Sequence, residues 1–477
     1  MQAPLVSCRQ QGGVRAAVPD VWPAAANDKL NLMGNILIES GTVVNEGRSF
    51  TGYVLIAGDR IAAVGEGRFE SPFSGERIDA RGKLVLPGVI DTHVHFREPG
   101  LESKADMASE SAAAAAGGVT SVFEMPNTRP AATTAELVER KFERAAECCM
   151  VNHSFFLGAG NDNIAEVRRL DPRTVCGVKL FMGSSTGDML VDSDYALAAV
   201  FAESPVPVSA HCEDETLVRE SMARLRARLG ANATAAVHPE VRPSEACYRS
   251  AARAVELADK YGAQLNVAHI STAHELTLFE DKPLSEKKIT AEVCVPHLWF
   301  CDEDYARLGT LIKCNPAVKS RADREALRAA LNSRRLDIVA TDHAPHLLGE
   351  KLQPYWDSPS GMPMVQFSLA AMLTLSSRGV LPVETVVEKM CHAPARRYAI
   401  ASRGFLRAGC FADITIVDPA LRHDVVRGSV VSKCGWSPLE GETLCAGIER
   451  TIINGHMVFD RGRLDRDFRG SRLMFDR

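Results

Sequence analysis

Asp91-Thr92-His93-Val94-His95-Phe96-Arg97 is the stretch on which the reading of this chain turns. It closes an apolar run over residues 84–90, which reads as a strand. Alternate side chains of a strand share a face, so His93 and His95 point the same way and can grip one cation. A lone His-x-His is weak evidence, because such pairs arise by chance. Its weight depends on what the other strands end in.

Working outward, the same texture repeats. An Ala-rich helix is predicted from about Ser103 to Ala116 and a charged helix around Ala135 to Cys148. Short apolar runs recur at 120–124, 153–156, 177–181, 206–210, 265–268, 290–293 and 338–340. With the first, that makes eight strand–helix units, and such alternation implies a parallel sheet. Eight units over roughly 300 residues fit an α/β (β/α)8 TIM barrel with insertions. An open doubly wound sheet is the competitor, but no Gly-rich nucleotide turn follows the first strand.

Both ends differ from this middle. Residues 33–86 and 405–477 carry short strands punctuated by Gly and Asp, such as 52–56, 60–64, 412–417 and 450–455. They are expected to build one small β-sandwich, with the barrel domain spanning 87–404. Residues 1–32 are rich in Ala, Pro and Gln and read either as a disordered extension or as text upstream of a true start at Met33.

The composition excludes several classes. Of 477 residues, 46% are hydrophobic and 24% charged, the balance of a chain that buries a large core. A net charge of -5, without a basic stripe, speaks against nucleic acid as a partner. No apolar run is long enough for a membrane span. The 13 cysteines contain no Cys-x-x-Cys pair, so a reducing cytoplasm is expected rather than a disulfide framework.

In a TIM barrel the chemistry gathers at the C-terminal ends of the strands. His93 and His95 end the first strand, Asn127 follows the second, His211 ends the fifth, His269 the sixth and Asp342 the eighth. A single buried histidine is ordinarily a satisfied structural one. Four histidines and an aspartate at strand ends form a metal-ligand set, since neutral imidazole and carboxylate bind zinc at roughly 2.0–2.2 Å. Lys179 lies inside the fourth strand, where an ammonium is costly. Either it snorkels to the rim, or it is a neutral amine that has reacted with carbon dioxide to give a carbamate able to bridge two metals. Two such metals can hold a hydroxide, and Asp342 can serve as general base and then acid.

These residues sit in longer matching pieces. They are Pro87-Gly88-Val89-Ile90-Asp91-Thr92-His93-Val94-His95-Phe96-Arg97-Glu98-Pro99-Gly100, Glu124-Met125-Pro126-Asn127-Thr128, the run 178–187 beginning Val178-Lys179-Leu180, His211-Cys212-Glu213-Asp214-Glu215, Ala268-His269-Ile270-Ser271-Thr272, Cys314-Asn315-Pro316 and Ala340-Thr341-Asp342-His343-Ala344-Pro345-His346. In these pieces, over about residues 33–460, the chain resembles the dihydroorotases of the amidohydrolase superfamily. The resemblance implies reversible cyclisation of N-carbamoyl-L-aspartate to (S)-dihydroorotate in pyrimidine synthesis. It implies one zinc on His93, His95 and Asp342 and a second on His211 and His269, bridged by N6-carboxylysine at Lys179 and a hydroxide. Arg97, Asn127, Asn315 and His346 would bind substrate. Dihydroorotate carries one carboxylate more than a plain dihydropyrimidine, and the planar fork of Arg97 suits it.

Departures are Val295-Pro296-His297-Leu298, where many relatives have a double histidine, and the loosely matching 347–364. His238 and Arg242 could reach the mouth or serve at the surface or a helix start. Allantoinase and dihydropyrimidinase (hydantoinase) are the alternatives sharing the metal site. A non-catalytic assembly partner of aspartate carbamoyltransferase is a third, though such a scaffold need not keep every ligand. A homodimer or homotetramer, with a possible aspartate carbamoyltransferase contact, is the expected assembly.

Overall fold

The computed structural model describes residues 35–183 and 189–477. The predicted extension 1–32 and the Ser184-Ser185-Thr186-Gly187 run lie outside the described residues.

The chain opens with strands β1 (Ile36–Asn45), β2 (Arg48–Ala57), β3 (Arg60–Glu66), β4 (Glu76–Asp79) and β5 (Leu84–Pro87). Eight barrel strands follow: β6 (Val89–Val94), β7 (Val119–Glu124), β8 (Asn152–Gly158), β9 (Gly177–Phe181), β10 (Val208–His211), β11 (Leu265–Val267), β12 (Ile289–Cys294) and β13 (Ile338–Ala340). The end supplies β14 (Ile414–Asp418), β15 (His423–Asp424), β16 (Thr443–Leu444), β17 (Gly447–Ile453), β18 (His456–Asp460) and β19 (Arg463–Leu464).

Strands β6 to β13 run in sequence order as one parallel sheet. Most of their residues are buried, the signature of parallel strands covered on both faces. The circle closes through a parallel bridge from Val94 to His343, with the His95 amide donating to the His343 carbonyl at 2.7 Å. Asp91 reinforces the seam by accepting from Thr341 Oγ1 at 2.6 Å. This is the expected TIM barrel.

The two chain ends do meet, in a nine-stranded mixed sheet ordered β19-β18-β17-β14-β5-β1-β2-β3, with β4 pairing β1. Its apolar side is a cluster of its own that includes Ile38, Val54, Ile78, Ile414 and Ile452. A second small ladder, β15 with β16, leaves this sheet.

The predicted strand over 84–90 is two strands in two sheets. β5 pairs β1 and β14, whereas β6 begins the barrel, and Gly88 alone separates them. A Cβ on Gly88 would lie 2.2 Å from Thr120 Oγ1, so only glycine lets the chain pass this close to β7. Apolarity is continuous across the break, which is why periodicity misses it.

The first barrel helix, α1, spans Met107–Ala116 rather than starting near Ser103. The Asp106 carboxylate accepts from the Ser109 amide at 2.8 Å, and the Ser109 hydroxyl faces back to the Asp106 amide at 3.3 Å. That capping box fixes the start. Helix α2 (Ala135–Cys148) matches its expectation and buries Val138, Phe142, Ala145 and Cys148 on one face.

Candidate active site

His93, His95, Asn127, His211, His269 and Asp342 lie at or just beyond barrel strand ends, Lys179 lies within its strand, and Asn315 and His346 lie in the connections that follow β12 and β13. His93 sits in β6 and His95 just past it, and both Nε2 atoms face Asp342 Oδ1, at 3.4 and 3.1 Å. Their other ring nitrogens are occupied. His93 Nδ1 pairs with Glu292 Oε1 at 2.8 Å, and His95 Nδ1 with Asn127 Oδ1 at 2.7 Å. Each acceptor draws the ring proton to Nδ1 and leaves an Nε2 lone pair aimed at a carboxylate.

Three acceptors converging on one point repel one another unless a cation lies between them. Protonating the rings is the other remedy, but burial holds His95 down at about 4, against the pull of Asp342. Asp342 is partly buried, yet the two histidines keep its carboxyl well below the ordinary carboxylate range. The donor set therefore fits a metal ion: nitrogen, nitrogen and carboxylate oxygen, all within 4.8 Å of one another.

His93 also clusters with Glu292 and Cys294. That group is the poorer choice, since Glu292 already holds the outer nitrogen of His93 and burial pushes the Cys294 thiol well up. A protonated thiol does not ligate.

The second pair is equally close. His211 Nδ1 faces His269 Nε2 at 2.9 Å, with ring centroids 4.6 Å apart. His211 Nε2 is held by Glu213 Oε2 at 2.9 Å, and Arg242 Nη1 meets the same oxygen at 3.0 Å. Without a cation the two rings share a proton; with one they offer two nitrogens. His269 and His93 rings lie 5.3 Å apart, so the two groups adjoin.

Lys179 stands among them, fully buried in β9, and its Nζ has no hydrogen-bond partner among the described residues. Burial lowers its pKa, against the opposing pull of Glu292 and Asp342. It does not snorkel.

Arg97, His346, Asn315 and Asn127, the residues expected to bind substrate, are the other predicted members of the site. Arg97 is buried, its Nε donating to the Pro345 carbonyl at 3.1 Å and its Nη2 lying 3.1 Å from His346 Nε2. Asn315 Oδ1 is buried and unpartnered among the described residues. Asn127 is also part of the metal-side network, because its oxygen engages His95; its Nδ2 is left for the donor role.

Three of these residues, Arg97, His269 and Asp342, have φ of 68°, 40° and 50°. Such backbone costs about 1–3 kcal/mol per residue and persists where the surrounding structure over-determines it.

Sequence reasoning missed several contributors. Glu292 holds His93, Thr92 and Asn266 from the barrel interior, and its one visible signal was an acid in an otherwise apolar strand. Trp436 is fully buried and donates from Nε1 to the His346 carbonyl at 2.8 Å, which brings a C-terminal segment to the mouth. His238 does start a helix, but it is buried, bonded to Tyr355 and the Cys314 carbonyl.

The amidohydrolase family model matches residues 84–458. The chain belongs to the amidohydrolase family. This amidohydrolase is 34% identical over 423 residues to the dihydroorotase of Methanothermobacter thermautotrophicus, covering 87% of the chain and 93% of that protein. It is 32% identical over 443 residues to the allantoinase of Rubrobacter xylanophilus, covering 90% and 95%. Among solved structures, L-hydantoinase (dihydropyrimidinase) from Arthrobacter aurescens superposes with a TM-score of 0.86 at 26% identity, covering 91% of this chain and 97% of that one. No helix among the described residues is long and apolar enough to cross a membrane.

Proposed function

We propose that this amidohydrolase is a dihydroorotase, interconverting (S)-dihydroorotate and N-carbamoyl-L-aspartate. Arg97 carries the reading. It is a buried guanidinium beside the histidine–aspartate cluster, held by a carbonyl and an imidazole, and it makes no ion pair with a carboxylate among the described residues. A buried unpaired cation is costly unless a ligand supplies the anion. Dihydroorotate has that carboxylate, while hydantoin and allantoin do not. The dihydroorotase relatives support the same choice.

His93, His95 and Asp342 would hold one zinc, His211 and His269 the other, with carboxylated Lys179 between them. When bound, the metals would polarise the ring carbonyl and ease deprotonation of the attacking water. Asp342, kept ionised by its histidines, accepts that proton and returns it to the leaving ring nitrogen. Arg97 and His346 anchor the carboxylate, Asn315 Oδ1 accepts from a ring N–H, and Asn127 Nδ2 donates to the substrate. The twelve described cysteines are free thiols, which supports a reducing, cytoplasmic setting. Assembly as a homodimer or homotetramer, and contact with an aspartate carbamoyltransferase, belong to the same proposal by resemblance alone.

Substrate profiling tests it. Enzyme supplemented with zinc and bicarbonate should turn over dihydroorotate at least about 100-fold better than hydantoin or allantoin, because a site built for a polar group rejects analogues lacking it. Faster turnover of hydantoin or allantoin would replace this reading with the hydantoinase or allantoinase one. No zinc and no turnover would favour the assembly-partner role.

Glu292→Gln gives a second expected result. Losing the carboxylate behind His93 should weaken zinc binding by about 10–100-fold. Zinc retained against a chelator, measured by metal analysis, reads this directly; retention equal to the unmodified enzyme would remove Glu292 from the site.

A further inference from the structure

Beyond Arg97, two more cations are buried without a counter-ion. Lys351 is fully buried and Lys313 nearly so, and neither makes an ion pair with a carboxylate among the described residues. Lys351 Nζ donates to the carbonyls of Lys313 and Pro359, at 3.0 and 2.8 Å. Lys313 Nζ donates to the carbonyls of Tyr355 and Ser358, at 2.7 and 2.6 Å. The Gly361 amide closes the knot on the Lys313 carbonyl at 2.9 Å.

These bonds join two loops. One runs from Lys313 to Asn315, whose buried Oδ1 is unpartnered among the described residues. The other runs from Tyr355 to Gly361 and includes Ser360, whose carbonyl lies 3.0 Å from His346 Nε2. His346 in turn lies against Arg97. The lysines thus fix the spacing between Asn315, His346 and Arg97.

Neutral amide or hydroxyl donors could tie the same carbonyls together without burying charge. Carbonyl dipoles solvate an ammonium but do not neutralise it. Burial, with repulsion from Lys313 and Arg97 added, lowers the Lys351 pKa to about 7, so near neutral pH it carries part of a positive charge. Asp357 is the acid whose field reaches Lys313, and Glu350 is engaged by Lys104 at 3.0 Å.

We infer that Lys351, with Lys313, is a positioning and specificity element of the carboxylate subsite: it sets the Asn315–His346–Arg97 edge and adds a positive field there that favours an anionic substrate. The inference rests on the dihydroorotase reading and deepens it. Arg97 makes the direct contact; Lys351 acts through the loops and through the field.

The test is Lys351→Gln, which keeps a donor and removes the charge, in zinc-loaded enzyme. KM for dihydroorotate should rise about tenfold with kcat within threefold and zinc content unchanged. The inhibition constant of orotate should rise in parallel, and that of dihydrouracil, which lacks the carboxylate, should not. Lys351→Arg, which keeps the charge, should hold KM within about threefold, and it serves alone if the glutamine variant does not fold. A purely structural role would lower kcat and zinc content while leaving KM and the orotate-to-dihydrouracil ratio unmoved. That outcome, an unchanged KM in Lys351→Gln, or an equal loss in Lys351→Arg, would overturn the inference. An unmodified enzyme that ignores dihydroorotate but hydrolyses hydantoin would instead overturn the dihydroorotase reading itself.

Discussion

Lys179→Ala should lower kcat by about 10²–10³-fold or more, the scale of losing an electrostatic support at the reacting centre, while the barrel stays folded. The Nζ is fully buried and makes no hydrogen bond among the described residues, so removing it strands no partner. Its pKa is lowered by burial, and a neutral amine is the form that adds carbon dioxide. The carbamate so formed would turn a costly cation among metal ligands into an anion with two oxygens. Zinc content should fall together with activity, and small carboxylic acids such as acetate should restore part of both by taking the vacated place. Full activity and full metal in the alanine variant would end the carbamate proposal.

The second large effect is expected at Asp342. Asp342→Asn should cut kcat by about 10²–10⁴-fold, the usual contribution of a positioned general base. Asparagine suits the test because residue 342 has φ of 50°, a conformation that asparagine and aspartate tolerate better than most. The fold should persist, and KM should change little because Arg97 is left in place. Steady-state kinetics with metal analysis separates the causes. A lost proton acceptor shows as low kcat at normal zinc, and a lost ligand shows as missing zinc. A variant within tenfold of the original kcat would assign the proton transfer elsewhere.

Much of this site was legible because it is written at strand ends. His93 and His95 are related by the two-residue period of a strand, and His211, His269 and Asp342 each follow a short apolar run. Convergence then followed from barrel topology alone. What stayed hidden were partners chosen by distance across the barrel. Glu292 meets His93 across 199 positions of sequence, and no local pattern encodes that pairing. Lys351 ends a four-residue helix, Leu348–Lys351, too short for its burial to show as a periodic signature. The break at Gly88 was hidden for a different reason: two buried strands placed end to end have the same apolar text as one.

That break links the two layers of the molecule. On one side of Gly88 lies β5, in the terminal sheet; on the other lies β6, which carries His93. The Gly88 amide donates to the Asp413 carbonyl at 2.8 Å, and the buried Asp413 carboxylate takes Arg403 and Asn152, the latter at the start of β8. Thr415 and Thr451 of the terminal sheet donate to the carbonyls of Gly118 and Ala115 beneath the barrel, each at 2.8 Å. The terminal sheet therefore works as a foundation. One peptide unit transmits its position to the strand that carries His93, so a disturbance far from the mouth reaches His93 through covalent backbone, without passing through any side chain of the site.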